Sequence, residues 1–317
     1  MMEGVRIERV ARIATIASMP VCPGLASAIR RSPADIVHIH LPNPGAALAF
    51  LLSGHTGEVV ITHHADTVGR LFLRQLSDPF VRLLMRRASR ITVSSARYLG
   101  TSSELAPFRD KCCVVPHGID IRHALHTDSA VVRALHQQFG DRLILAVGRL
   151  VAYKGFDILI RAMKHVDAKL VLIGTGPQHA ALAELAASEG VKEKITMLGH
   201  VECIGSYFAA ASLFVLPSVT RAEAFGLVQL EAMAAGLAIV NTDIDSGVPE
   251  ISIHGETGIT VRAGDVSALS EGINLLLQRK DLRDQFGEAA KARVHAEYTA
   301  DLMAARTLSL YREVLES

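Results

Sequence analysis

Short apolar runs alternate with amphipathic stretches along the whole chain, and this alternation restricts the fold more than any other feature. In the second half, runs at 143–147, 169–173, 195–198, 213–216 and 238–241 are each followed by a helical pattern. Those patterns fall at 155–164, 178–189, 205–210 and 225–235, with a short one near 249–253. The first half carries strand-like runs at 5–10, 35–40, 59–63, 90–94 and 113–116, with helical stretches such as 46–53 and 79–88. Apolar strands separated by helices form parallel sheets covered on both faces. The expected class is α/β, with two Rossmann-like parallel-sheet domains. The break falls in the polar, His- and Gln-containing stretch 120–141. It predicts a first domain over 1–125, a second over 140–298 and a C-terminal helix over 299–317 that packs back toward the first. The segment 265–315 reads as helical with no strand, and no internal repeat is visible.

Bulk composition excludes several function classes. A net charge of +1 with 5% aromatic residues does not suit a nucleic-acid binder, which needs a basic stripe. Cys22, Cys112, Cys113 and Cys203 show no metal-ligand spacing and read as buried thiols of a reducing cytosol. No apolar run is long enough to span a bilayer and no signal-peptide pattern opens the chain, so a cytoplasmic protein is expected. Charge is uneven, however. Residues 1–125 hold 15 Lys+Arg against 9 Asp+Glu, and the remainder 18 against 23. Within the basic part, Arg82, Arg86, Arg87 and Arg90 lie beside Phe80, Val81, Leu83, Leu84 and Met85. That pattern predicts a solvated helix face, a peripheral contact with the anionic inner face of the cell membrane, or a contact with a phosphorylated acceptor.

Two stretches carry the chemistry. "VGRLVAYKGFDILI" places Arg149 and Lys154 just after a strand, in a strand-to-helix turn. "PSVTRAEAFGLVQLEAMAAG" places Glu223 in a loop, then small residues, then Glu231 two turns into a helix. A helix N-terminus with free amides beside an Arg/Lys pair suits a diphosphate. Carboxylates next to it suit sugar or ribose hydroxyls, so the whole reads as a nucleotide-sugar site. Gly174 and Gly176 form G-x-G after a strand, but the third glycine of a dinucleotide fingerprint is absent, which disfavours an oxidoreductase. Asp243-Ile244-Asp245 has the form of a metal-binding D-x-D and is not expected to bind one. Neither a metal nor a cofactor is expected.

"VGRLVAYKG", "LIGTGPQ", "EAFGLVQLEAMAAG" and "SGVPEI", followed by "HGETGITV", together resemble the family-4 glycosyltransferases of GT-B architecture. "DIVHIHLPNP", "VVITHHAD" and "VVPHGID" add weaker support, and the resemblance spans about residues 30–315. It implies two Rossmann-like domains facing across a cleft, and a retaining, metal-independent, hexosyltransferase-like activity. Arg149 and Lys154 match the diphosphate-binding pair, two fixed cations that neutralise charge on the leaving group. Glu223 and Glu231 match the spaced carboxylates, the first for donor-sugar hydroxyls and the second for the ribose. Ala224, Phe225, Gly226 and Leu227 would offer amides to sugar and phosphates. Gly148, Gly174 and Gly176 would border the donor, and His200 and Val201 the base. His64 in "THHAD" aligns with the histidine near the donor's reaction centre, with Asp66 as its orienting partner. His117 stands where Asn is frequent and reads as a turn residue ahead of Gly118.

The resemblance also implies an N-terminal strand, glycine-rich loop and long helix that are not recognisable in "GVRIERVARI". The expectation is an incomplete first domain with an exposed apolar groove, open to a homodimer partner. The reading is transfer of a sugar, from GDP-mannose or a UDP-hexose, to a polysaccharide, glycolipid or lipid-linked acceptor. Its rival is a truncated, non-catalytic nucleotide-sugar-binding remnant. A sugar-nucleotide epimerase would need acid/base residues in the first domain that do not form a convincing set.

Overall fold

A computed structural model describes residues 4–16, 19–66 and 71–316. Twelve strands lie among the described residues. These are β1 (Ala14–Ile16), β2 (Met19–Val21), β3 (Ile36–Leu41), β4 (Glu58–His63), β5 (Arg90–Val93), β6 (Cys112–Val114), β7 (Leu143–Val147), β8 (Lys169–Ile173), β9 (Ile195–Leu198), β10 (Leu213–Leu216), β11 (Ile239–Asp243) and β12 (Gly258–Arg262). The chain divides into two compact units. One runs to Ser94 and takes in Ser102–Val115 and the residues from Arg306 onward; the other holds Ser95–Thr101 and Pro116–Ala305.

The first unit has a parallel sheet of order β3-β4-β5-β6 and a separate antiparallel hairpin, β1-β2. The 5–10 run is not a named strand, and its Val5 and Ile7 are exposed, so the apolar half of its alternation is left largely in solvent. Strand pairing falls later, in the hairpin. The helix Leu71–Arg87 is longer than its sequence pattern suggests and carries Pro79 inside it. Leu84 and Met85 are buried beneath it, whereas Phe80 and Leu83 stay exposed. Lys111 Nζ donates to the carbonyls of Arg86 and Ala88 at this helix's end, and Arg87 donates to those of Thr56 and Gly57. The C-terminal helix Ala300–Glu316 completes this unit's core, with Leu310 and Val314 packed on Val60. All four cysteines are free.

The second unit is built on a six-stranded parallel sheet of order β12-β11-β10-β7-β8-β9. β7 to β9 run outward in chain order on one side of β7, and β10 to β12 on the other. The order therefore reverses between β7 and β10, where Leu213 pairs with Ile144 and Phe214 with Leu145. Ile144, Leu145 and Ala146 of β7 are fully buried, as are Phe214 and Val215 of β10, which explains their unbroken apolar runs. β12 completes the sheet at residues that the sequence reading left without a strand. Its Thr and Val residues are β-formers, but glycines and Glu256 precede it, and only its pairing with β11 fixes it. The polar stretch at the expected domain break holds a helix, Ser129–Phe139, capped by the Asp128 side chain on Ala130 N. Ser95–Thr101 joins the second unit through Glu250, whose carboxylate accepts from the amides of Ala96 and Arg97 at the start of the helix Ala96–Thr101.

A close approach ties the ends of β7 and β8. A Cβ at Gly174 would stand 1.9 Å from the Gly148 carbonyl oxygen, so only glycine fits. Gly148 N donates to Ile173 O, and Gly174 N to Leu198 O, continuing the ladder past the strand ends.

In the first unit, His38 lies in a polar seam between sheet and C-terminal helix. Its Nδ1 is 2.5 Å from Tyr311 Oη and its Nε2 2.7 Å from Thr62 Oγ1, which in turn bonds Thr92 Oγ1 at 2.8 Å. Burial, and then the neighbouring His40, lower its pKa from about 6.5 to about 4. The unfolded chain therefore binds a proton that the folded chain refuses between those values. Stability from this group is intact above pH ~6.5 and is lost as pH falls toward ~4. Thermal melts across that window should show Tm falling with pH in the wild type and a shallower fall in His38→Asn; equal slopes would exclude His38 as a source.

Candidate functional site

Every sequence-assigned residue of the second unit lies at or beyond the C-terminal ends of its parallel strands. Gly148, Arg149 and Lys154 follow β7, Gly174 and Gly176 follow β8, and His200 and Val201 follow β9. Glu223 to Leu227 follow β10. The loops after β7 and β10 flank the point of order reversal, where open α/β sheets bind ligands.

These two loops are clamped together. Val219 N donates to the Tyr153 carbonyl at 2.8 Å. Gly155, at φ +66°, lies so close to Pro217 that a Cβ would meet its carbonyl oxygen at 2.1 Å. Lys154 Nζ then reaches Glu223 Oε2 at 2.5 Å, with both side chains 10% exposed. Ser218 Oγ donates to the same carboxylate oxygen at 3.1 Å. The lysine stem lies across Gly148, within 3.2–3.4 Å of where a Cβ would be. Burial raises the Tyr153 phenol pKa, with Glu223 adding to the rise and Arg149 opposing it. A buried ammonium and carboxylate cost solvation that their attraction only partly returns, so such a pair does not exist chiefly for stability. Here it holds a cation beside a strand-end loop, with Arg149 exposed in the same turn.

Glu223 leads into the helix Leu227–Ala234, which starts at Gly226 in the left-handed region. A helix leaves its first amides without intrahelical acceptors, so this turn presents donors. Phe225 is buried, with the His117 ring edge-on at 5.0 Å, which makes His117 a packing partner of this loop as well as a turn residue. Glu231 lies on the helix and is half-buried. Beneath the loop is a support that sequence reasoning missed. Gln229, fully buried, donates to the carbonyls of Phe225 and Val248, and Asn241 donates to Gln229 Oε1 and Val248 O. Gly247 N donates to Ala224 O, which joins "SGVPE" to "EAFG". Polar residues inside apolar runs were the available signal. Asp243 and Asp245 of the D-x-D face Arg97, at 2.6 and 3.6 Å.

In the first unit, His64 follows β4, and its N–H donates to Leu41 O. Its Nε2 lies 2.8 Å from His40 Nδ1. Asp66 accepts from Ser102 Oγ, and His40, which the sequence reading did not single out, gives His64 a ring-to-ring contact. His63 is buried, with Nε2 3.3 Å from Glu104 Oε2. His63, Asp66 and Glu104 could together offer a metal ion three ligand atoms, all within 4.8 Å of one another. The His63–Glu104 and Ser102–Asp66 bonds join the end of β4 to the segment after Thr101.

The family model for Glycosyl transferases group 1 matches residues 133–293, and that for Glycosyltransferase Family 4 matches residues 6–123. The chain is 32% identical over 269 residues to D-rhamnosyltransferase WbpZ of Pseudomonas aeruginosa, covering 84% of this chain and 70% of the relative. It is 29% identical over 285 residues to O-antigen chain mannosyltransferase C of Escherichia coli, covering 89% and 76% respectively. Anabaena HepE, solved in complex with UDP-glucose, shares the fold with a TM-score of 0.75 at 22% identity, over 91% of this chain and 82% of that one. With both family models matched and its two parallel sheets in place, the chain belongs to the group 1 glycosyl transferases and is a glycosyltransferase of the α/β GT-B type.

Proposed function

We propose that the protein moves a sugar from a nucleotide-sugar to a hydroxyl of a polysaccharide, glycolipid or lipid-linked acceptor, with retention at the anomeric carbon. The observation that carries this is the buried Lys154–Glu223 pair held where the strand order reverses. Relatives named for rhamnosyl and mannosyl transfer, and a structural neighbour holding UDP-glucose, support GDP-mannose or a UDP-hexose as donor. In this reading Arg149, Lys154 and the amides from Ala224 to Leu227 bind the diphosphate. Glu223 accepts from donor-sugar hydroxyls, Glu231 accepts from the ribose, and His64 hydrogen-bonds the donor sugar. Gly148, Gly174 and Gly176 border the donor, and His200 and Val201 meet the base. The bond from C1 to the diphosphate oxygen breaks as the acceptor oxygen bonds C1 on the same face. The acceptor's proton passes to the leaving phosphate, and the two cations stabilise the charge left on it.

Isothermal titration with GDP, UDP and ADP tests the donor site. One nucleotide should bind the wild type, and Arg149→Ala with Lys154→Ala should weaken it by about 100-fold or more, since each charged hydrogen bond contributes ~1.5–3 kcal/mol. Equal affinity in the variant would remove the diphosphate role from these two residues.

Glu223→Ala separates binding from stability. It leaves the Lys154 ammonium buried without its partner, a loss of roughly 3–5 kcal/mol. A bound diphosphate supplies the missing negative charge, so the rise in Tm on adding that nucleotide should exceed the wild-type rise. A smaller rise would show that Lys154 does not face the phosphates.

The exposed Phe80 and Leu83, beside Arg82 and Arg86 on one helix, support peripheral contact with an anionic membrane surface carrying the acceptor. Among the described residues, no helix is long and apolar enough to cross a membrane. The protein should co-sediment with phosphatidylglycerol vesicles and not with phosphatidylcholine vesicles, and Phe80→Ser with Leu83→Ser should abolish it. Undiminished sedimentation of that variant would place the contact elsewhere.

A further inference from the structure

The strand β3 pairs in parallel with β4, His38 opposite Val60 and His40 opposite Thr62. Two residues apart on a strand, His38 and His40 project from the same face. Their rings stack, with centroids 4.9 Å apart and planes within 14°. The His64 ring continues the row, 5.1 Å from His40 and within 15° of parallel. Its backbone is fixed by the bond from its N–H to Leu41 O, at the end of β3.

The row is anchored at one end. His38 uses both ring nitrogens, on Tyr311 Oη and Thr62 Oγ1, so its ring cannot turn without breaking a bond. Its low pKa keeps it neutral at ordinary pH, and a neutral ring places no charge under its neighbour. At the other end His40 Nδ1 and His64 Nε2 are 2.8 Å apart. A bond between two imidazole nitrogens needs one proton between them: one nitrogen donates and the other accepts. His64 Nε2 is thereby committed to His40, and the tautomers of the two rings are coupled.

We propose that His40 is a positioning residue for His64, fixing its ring orientation and coupling its tautomer to that of His40, and so how the ring meets the donor sugar. The functional half of this rests on the role assigned to His64 above; the structural half does not. A second-position partner that sets the tautomer of a working histidine is a recurrent need, because the two nitrogens differ in what they can donate or accept.

The experiment is imidazole ¹⁵N–¹H correlation spectroscopy on the full-length ¹⁵N-histidine protein. His64 signals are assigned by their loss in His64→Gln. The wild type should show His64 as a single neutral tautomer. His40→Phe keeps a flat ring in the stack and removes the nitrogen; there His64 should become a mixture of tautomers or switch to the other one. His40→Asn places an amide where Nδ1 stood and should restore a single tautomer. An unchanged cooperative thermal melt and unchanged amide signals from the second unit report an intact fold in each variant, and His40→Ala replaces the Phe variant should that fail to fold. A His64 tautomer indifferent to His40 overturns the proposal.

Transfer from GDP-mannose and from UDP-glucose is then measured with the same proteins. A roughly 10-fold or greater fall in kcat for His40→Phe, with KM within about 2-fold and recovery in His40→Asn, supports both halves. A tautomer shift with unchanged kcat upholds the positioning of His64 by His40 and overturns the role of His64 in turnover. A fall in kcat without a tautomer shift overturns positioning.

Discussion

Parallel pairing of β7 with both β8 and β10 is the constraint on which the second unit depends. Parallel strands need crossovers, the crossovers cover both faces, and the loops that can vary are left at one edge. β7 is the strand from which the order departs in two directions, so the loops after β7 and β10 face each other with no helix between them. The close packing of Gly155 on Pro217 and the bond from Val219 to Tyr153 turn that opening into a rigid frame. That frame holds Lys154 and Glu223 together in a buried pair at the strand ends.

Much of this was legible in the chain. The apolar runs of β7, β8 and β9 end at Gly148, Gly174 and Gly199 and that of β10 at Pro217, and their limits coincide with the strands. Arg149, Lys154 and Glu223 could be placed because strand-to-helix turns put residues at predictable ends. That Lys154 and Glu223 touch was not legible: the contact spans sixty-nine positions and depends on which strands neighbour β7, information absent from local periodicity.

The misses share a physical cause. The 5–10 run has strand-like alternation, but a strand needs a partner, and alternation says nothing about one. β12 has a partner in β11 but a glycine-rich approach that weakens the local signal. His40 was passed over because it lies in an apolar strand, where a histidine reads as a core exception; its meaning comes from His64, twenty-four residues on. Gln229 and Asn241 are similar. Each looks like a polar interruption until the carbonyls of Phe225 and Val248 are seen to need donors.

The chain passes between its two units four times, after Ser94, Thr101, Val115 and Ala305. The last passage places Leu310 and Val314 against Val60, so a strand of the first unit waits for residues some two hundred and fifty positions later. On the ribosome the second unit has all its described strands before the helix Ala300–Glu316 emerges, whereas the first remains short of part of its core until that helix is made. The usual order, in which N-terminal domains fold ahead of their successors, is reversed for completion here. The contacts that finish the first unit are among the longest in sequence, the kind whose loop-closure cost slows folding most.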